Sequence, residues 1–143
     1  MSLPPVEIQM ELVNQKVKFT GVSKTNPDTS IAIDYLPPLG DGEGFLGLEL
    51  LVMSFAGCVS TAIVGLLRRM NKNLSAYKMD VTGIKNEQPL SLQKINFTVT
   101  IEANDINEDE IQNVIKTAEQ ISPVWIAIRN NVEVDWEYQI INH

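Results

Sequence analysis

The chain has 143 residues, 18 acidic against 11 basic, and a formal net charge of -7, and no basic cluster exceeds Arg68-Arg69, so nucleic acid is excluded as an expected partner. A single cysteine, Cys58, and a single histidine, His143, exclude an intramolecular disulfide and a Cys/His zinc site. Neither metal nor cofactor is expected, and a reducing cytoplasm is the natural compartment.

Residues 1–143 are read as one domain. The start lacks the basic residues and apolar core of a secretion signal, and Met1 to Leu3 reads in part as a cloning scar. Val6, Ile8, Met10 and Leu12 alternate with Glu7, Gln9 and Glu11, the period of a strand with one buried face. Val17 and Phe19 repeat the pattern after Asn14-Gln15, and Ile31, Ile33 and Tyr35 repeat it after Asn26-Pro27-Asp28, which predicts a three-stranded meander. Pro37 to Gly47 is a glycine-rich loop leading to a helix, with Asp41 and Glu43 placed to suit the helix dipole.

Leu50 to Leu67 holds no charged residue, a run of about 18 that reaches the lower length for a membrane span. Ser54, Gly57, Ser60, Thr61 and Gly65 interrupt it, and the flanking strands need water on one face. It is therefore read as a central helix buried on most sides, without a membrane partner. Arg68, Arg69 and Lys72 suit its C-terminus, and Asn73 is the expected stop. Tyr77, Met79 and Val81, then Ile95, Phe97, Val99 and Ile101, predict a second hairpin turning at Asn86 to Pro89. Asn107 and Glu110 have capping-box spacing ahead of Ile111, Val114, Ile115, Ala118 and Ile121. Ser122-Pro123 reads as an N-cap and first position of a short helix, Val124 to Arg129, and Val132 to Ile140 as the closing strand. The expected class is α+β, in the order βββ-α-ββ-α-α-β, with antiparallel sheets packed on the long helix.

Along that helix, Leu51, Ser54, Cys58, Thr61, Ala62 and Gly65 share a mostly small stripe. Small residues let helices approach closely, and a second subunit is expected to supply cover, most simply as a homodimer. Cys58 is either a buried, inert core residue or a thiolate nucleophile activated by cations or a helix N-terminus. A dyad with His143 needs the chain end to reach the core. Glu49, nine residues before Cys58 and about 13.5 Å along the axis, serves the helix N-terminus or meets a site across the subunit boundary.

The run Gly47-Leu48-Glu49-Leu50-Leu51-Val52-Met53-Ser54-Phe55-Ala56-Gly57-Cys58 resembles the Pro-x-Glu-Leu-Leu-Leu-(small)-(small)-x-(Gly/Ala)-(Gly/Ala)-Cys helix of the OsmC/Ohr family. The family's Cys-Pro-Val segment, with its following turn and strand, resembles Ser122-Pro123-Val124 and Ile128 to Glu133. The resemblance implies an intertwined homodimer and, in active members, a thiol peroxidase that reduces organic hydroperoxides. It makes Cys58 the peroxidatic thiol and puts Ser122 where the resolving cysteine belongs, so an oxidised Cys58 needs an external thiol. Three departures stand out. Ser122 cannot form a disulfide. No arginine precedes Arg68, which leaves Lys16, Lys18 or Lys24 as N-terminal cations without a planar fork. The catalytic carboxylate of the hydroperoxide-resistance branch falls at Leu48, with Glu49 one residue later, and Gly47 replaces the proline.

Ser122 is read as a plain helix cap, or as a hydroxyl that donates to a thiolate if Cys58 lies near it. Arg129, the nearest basic residue in sequence, is expected to be exposed. Three functions follow: a one-cysteine thiol peroxidase with Cys58, Glu49 and Ser122 as site residues and a small hydrophobic hydroperoxide as substrate; a non-catalytic protein binding a small apolar or thiol ligand at the dimer interface; or a stress-associated protein with an inert cysteine.

Overall fold

The computed structural model describes residues 3–142; Met1, Ser2 and His143, and with them any Cys58–His143 pair, lie outside the described residues. Contacts within the chain gather into two compact units that divide between Leu50 and Leu51.

The first unit holds β1 (Ile8–Leu12), β2 (Phe19–Ser23) and β3 (Asn26–Ile33), an antiparallel sheet in the order β1-β2-β3. Register aligns Met10, Gly21 and Ile31 across the three strands, and Leu12, Phe19 and Ile33 likewise, so the apolar residues share one face. A side chain at Gly21 would meet Met10 Sδ at 2.8 Å, so glycine there lets Met10 lie across the sheet. The strands match the sequence period, yet the burial expected of β1 is absent: all five of its residues are exposed, Ile8 at 59%. The reversal also lies earlier than Asn26-Pro27-Asp28. Lys24 and Thr25 make the turn, where Ser23 and Thr25 join hydroxyls at 2.9 Å, and Pro27 is tolerated because β3 is an edge strand.

From Asp34 the chain loops to α1 (Gly47–Arg69). Asp34 is buried, and its carboxylate accepts the N–H groups of Tyr35 (2.8 Å), Asp41 (3.2 Å) and Glu43 (3.0 Å), closing the loop around itself. Gly42 takes the left-handed conformation at φ +67° that such a tight path needs.

The second unit carries the rest of α1, the hairpin β4 (Ala76–Glu87) and β5 (Leu90–Glu102), α2 (Glu108–Ile121), α3 (Pro123–Ile128) and β6 (Glu133–Ile141). β4 and β5 pair antiparallel as expected, but β6 joins β5 in parallel, because two helices carry the chain back across the sheet before it starts. The α2 capping box is complete, with Glu110 N–H on Asn107 Oδ1 at 2.9 Å and Asn107 N–H on Glu110 Oε1 at 3.1 Å. The stop after α1 is Asn71, not Asn73: Asn71 is left-handed at φ 59°, and Lys72 N–H reaches Leu67 O while Asn71 N–H reaches Arg68 O.

Alternate β5 residues, Ile95, Phe97, Val99 and Ile101, are buried with Phe55, Val59, Ile63 and Leu67 of α1, Ile111, Val114, Ile115 and Ala118 of α2, and Trp125 of α3. The four α1 residues form one stripe at spacing four. Burial on most sides does not hold within the chain. Over its most apolar 18-residue window, α1 is long and apolar enough to cross a membrane and only 22% buried. Ser54, Gly57, Thr61 and Gly65 are exposed, while Leu51, Cys58 and Ala62 are half-buried, so the open small-residue arc is turned slightly from the predicted stripe.

Candidate functional site

Three rings hold α1, β5 and α3 together. Phe55 meets Trp125 at 5.4 Å and Phe97 at 6.0 Å, and Phe97 meets Trp125 edge-on at 5.8 Å. Cys58 lies three residues beyond Phe55, and Ser122 three before Trp125, so the triangle that packs the core also brings these two together. Ser122 Oγ donates to Cys58 Sγ at 3.2 Å across 64 residues of sequence. Ser122 is fully buried and Cys58 half-buried, at the margin between the buried α1 stripe and the open arc.

The plain capping role expected for Ser122 is not what its hydroxyl does. Ser122 occupies the N-cap position of α3 but makes no side-chain cap bond, and its backbone N–H closes α2 onto Ala118 O at 2.8 Å. α3 starts with Pro123, which has no N–H to satisfy, and the freed hydroxyl turns to sulfur. Both segments that supply the pair, Leu50 to Leu67 and Ile121 to Ile128, contain no charged residue. Ser54 and Thr61 spend their hydroxyls on the helix carbonyls of Leu51 (2.9 Å) and Gly57 (2.8 Å).

Glu49 turns back on its own helix. Its Oε1 accepts the Leu46 N–H at 2.7 Å, half of a capping box, while Leu50 N–H makes the first helical bond to Leu46 O. Lys16, Lys18 and Lys24 are engaged with Asp41 (2.6 Å), Glu43 (3.5 Å) and Glu7 (2.7 Å). Arg129 is exposed, as its sequence setting suggests.

Two features escaped the sequence. The half-buried Tyr77 donates to Ser60 Oγ at 2.8 Å, and Ser60 points at Met79 Sδ at 3.9 Å; burial pushes the Tyr77 phenol up, against the hydrogen bond to Ser60. Asp34 is the other. The Glu43 N–H first, then those of Tyr35 and Asp41, hold its carboxyl below the usual carboxylate range. Its ligand atoms, with those of Asp41 and Glu43, lie within 4.8 Å of one another, a spacing that suits a cation. The three N–H groups and the Lys16 and Lys18 pairs already meet that charge.

The sequence model described as OsmC-like protein matches residues 40–137, which span both the α1 stretch ending in Cys58 and the Ser122 to Glu133 stretch. The chain belongs to the OsmC-like protein family. Solved structures agree with this OsmC-like assignment. The chain is similar to an OsmC-like protein from Mycoplasma pneumoniae, with TM-score 0.81 and 18% identity over 96% of this chain and 98% of that one. It is similar to a hypothetical protein from Aquifex aeolicus VF5, with TM-score 0.83 and 15% identity over 99% of each. It also resembles an organic hydroperoxide resistance protein OsmC from Legionella pneumophila, with TM-score 0.71 and 16% identity over 97% of this chain and 99% of that one. At these identities the likeness establishes the α+β OsmC-like fold alone. Among curated proteins, none matches the sequence.

Proposed function

We propose that this OsmC-like chain is a one-cysteine thiol peroxidase for organic hydroperoxides, with Cys58 as the reacting thiol. The observation that carries it is the 3.2 Å hydrogen bond from a fully buried Ser122 hydroxyl to a half-buried sulfur. A hydroxyl donor at that distance holds the sulfur in place for attack on a peroxide oxygen. In the reaction, the Cys58 thiolate bonds the distal peroxide oxygen, the O–O bond breaks, and the leaving alkoxide takes a proton to become an alcohol. Cys58 becomes a sulfenic acid, and the peroxide is reduced by two electrons. The uncharged surroundings of the pair support a hydrophobic hydroperoxide. Membership of the family and the likeness to a Legionella pneumophila protein named for organic hydroperoxide resistance support the same chemistry.

The proposal includes a homodimer in the cytoplasm, in which a second copy covers the open small-residue arc of α1. Glu49 is placed in the site across that boundary or stays a helix-start group. The test is intact-mass spectrometry of protein exposed to cumene hydroperoxide, beside Cys58→Ser. Gain of one oxygen at Cys58, much faster than free cysteine gains it, is expected; an equal or slower rate refutes the peroxidase. A second reading, a non-catalytic binder of a small apolar or thiol ligand, draws on the same uncharged setting. It requires that such a ligand raise the melting temperature of the Cys58→Ser variant.

A further inference from the structure

We propose that Asp41-Gly42 is an isoaspartate-forming site that Asp34 keeps closed in the folded protein. The sequence holds one Asp-Gly pair and no Asn-Gly pair. Glycine carries no side chain to shield its nitrogen and leaves the backbone free to turn, so the nitrogen that follows Asp41 is the one best able to reach an aspartate side-chain carbon. The Asp41 side chain is 40% exposed and Gly42 is exposed, so burial does not stop the reaction. The chemistry needs only water and nothing from Cys58.

Hydrogen bonds are what hold it back. To cyclise, the Gly42 amide must give up its proton and attack Asp41 Cγ: an N–C bond forms, a C–O bond breaks and water leaves, giving a succinimide. Water then opens the ring at one carbonyl or the other, restoring aspartate or leaving isoaspartate, whose backbone is longer by one methylene. In the fold the Gly42 N–H is bound to Tyr35 O at 2.9 Å and the Asp41 carboxylate to Lys16 Nζ at 2.6 Å, so nucleophile and electrophile are both engaged. The lysine pair is exposed and holds weakly. The firmer hold is the buried Asp34. Its Oδ2 accepts the N–H groups of Asp41 (3.2 Å) and Glu43 (3.0 Å), one on each side of Gly42, and its Oδ1 accepts that of Tyr35 (2.8 Å), the residue whose carbonyl binds the Gly42 N–H. Asp34 touches no reacting atom and is a positioning residue. Isomerisation therefore starts from a locally open loop, and the added methylene, lying between the Asp41 and Glu43 N–H groups, keeps Asp34 from gathering both again.

The experiment ages the protein at neutral pH, folded and, as reference, unfolded in guanidinium chloride. Isoaspartate at Asp41 is followed in digests as a peptide of unchanged mass and altered retention, the succinimide as loss of one water, and hydrogen exchange of the Gly42 amide is measured in parallel. Folded wild type is expected to isomerise more slowly than the unfolded chain. Asp34→Ala is expected to raise the folded rate by about twofold to tenfold, the factor that one lost hydrogen bond allows, with Gly42 exchange rising alike. Asp34→Asn keeps one acceptor oxygen and is expected to fall between. Ile115→Val, which loosens the buried core of the second unit, is expected to leave both rates unchanged. Equal rates in folded and unfolded wild type, a wild-type rate in Asp34→Ala, or the same acceleration in Ile115→Val overturns the proposal. If Asp34→Ala does not fold, Asp34→Asn carries the comparison, and a rate no higher than wild type overturns it.

Discussion

Asp34 shows how much one side chain can organise. Three backbone N–H groups converge on its carboxylate, with the Glu43 N–H the strongest influence in lowering its pKa. A carboxyl held below its unfolded value stabilises the fold at pH above the unfolded pKa, and that contribution disappears as pH falls through the folded value. Glu110 behaves alike, lowered first by its bond from Lys72 at 2.8 Å and then by the Asn107 N–H. Thermal melts are therefore expected to be flat from neutral pH down to about 5 and to drop below about pH 4. In Asp34→Asn an amide faces N–H donors, so the melting temperature should be lower at pH 7 and its acid decline less steep. An unchanged acid slope in that variant contradicts the assignment. At the same scale, Ser122 was only half legible. Its cap position could be read from Ser-Pro, but its contact with Cys58 depends on tertiary packing between residues 64 apart.

Among the elements, α3 is short, and its hold on the rest runs through Trp125. Trp125→Ala removes two edge-on ring contacts and is expected to cost about 3–5 kcal/mol in denaturant melts. It should also speed alkylation of Cys58 as the Ser122 contact loosens; a loss under about 1 kcal/mol shows that the triangle does not fix α3. Strand period, the capping box of α2 and the position of α1 were legible because each is set by neighbours within a turn or two. The Lys24-Thr25 turn was not, because Asn26-Pro27-Asp28 offers stronger turn residues that an edge strand nevertheless accepts. The parallel pairing of β6 was hidden for another reason: alternation reports which face is buried and says nothing about direction.

At the scale of the whole molecule, the feature that matters is the exposed small-residue arc of α1. Outside the backbone of their own helix turn, Gly57 and Gly65 have no atom within 4 Å of where a side chain would begin, and both are exposed. Replacing them with leucine in an isolated chain adds helix propensity of roughly 0.5–1 kcal/mol each and removes nothing. Against a second helix seated on the arc, the same side chains are obstacles. Sedimentation of the wild type is expected to report a dimer, and Gly57→Leu/Gly65→Leu a monomer with a lower, concentration-dependent melting temperature. A wild-type monomer in solution, or recovery only with lipid, defeats the proposed homodimer.

The aromatic triangle has an optical consequence. Of the two tryptophans, Trp125 is buried three residues after the serine that holds the sulfur, whereas Trp136 stands half-buried on β6. Sulfur is a fluorescence quencher whose strength changes with its oxidation state, so under the proposed chemistry the emission of Trp125 is expected to follow oxidation of Cys58 without any added dye, with Trp136 as the steady background.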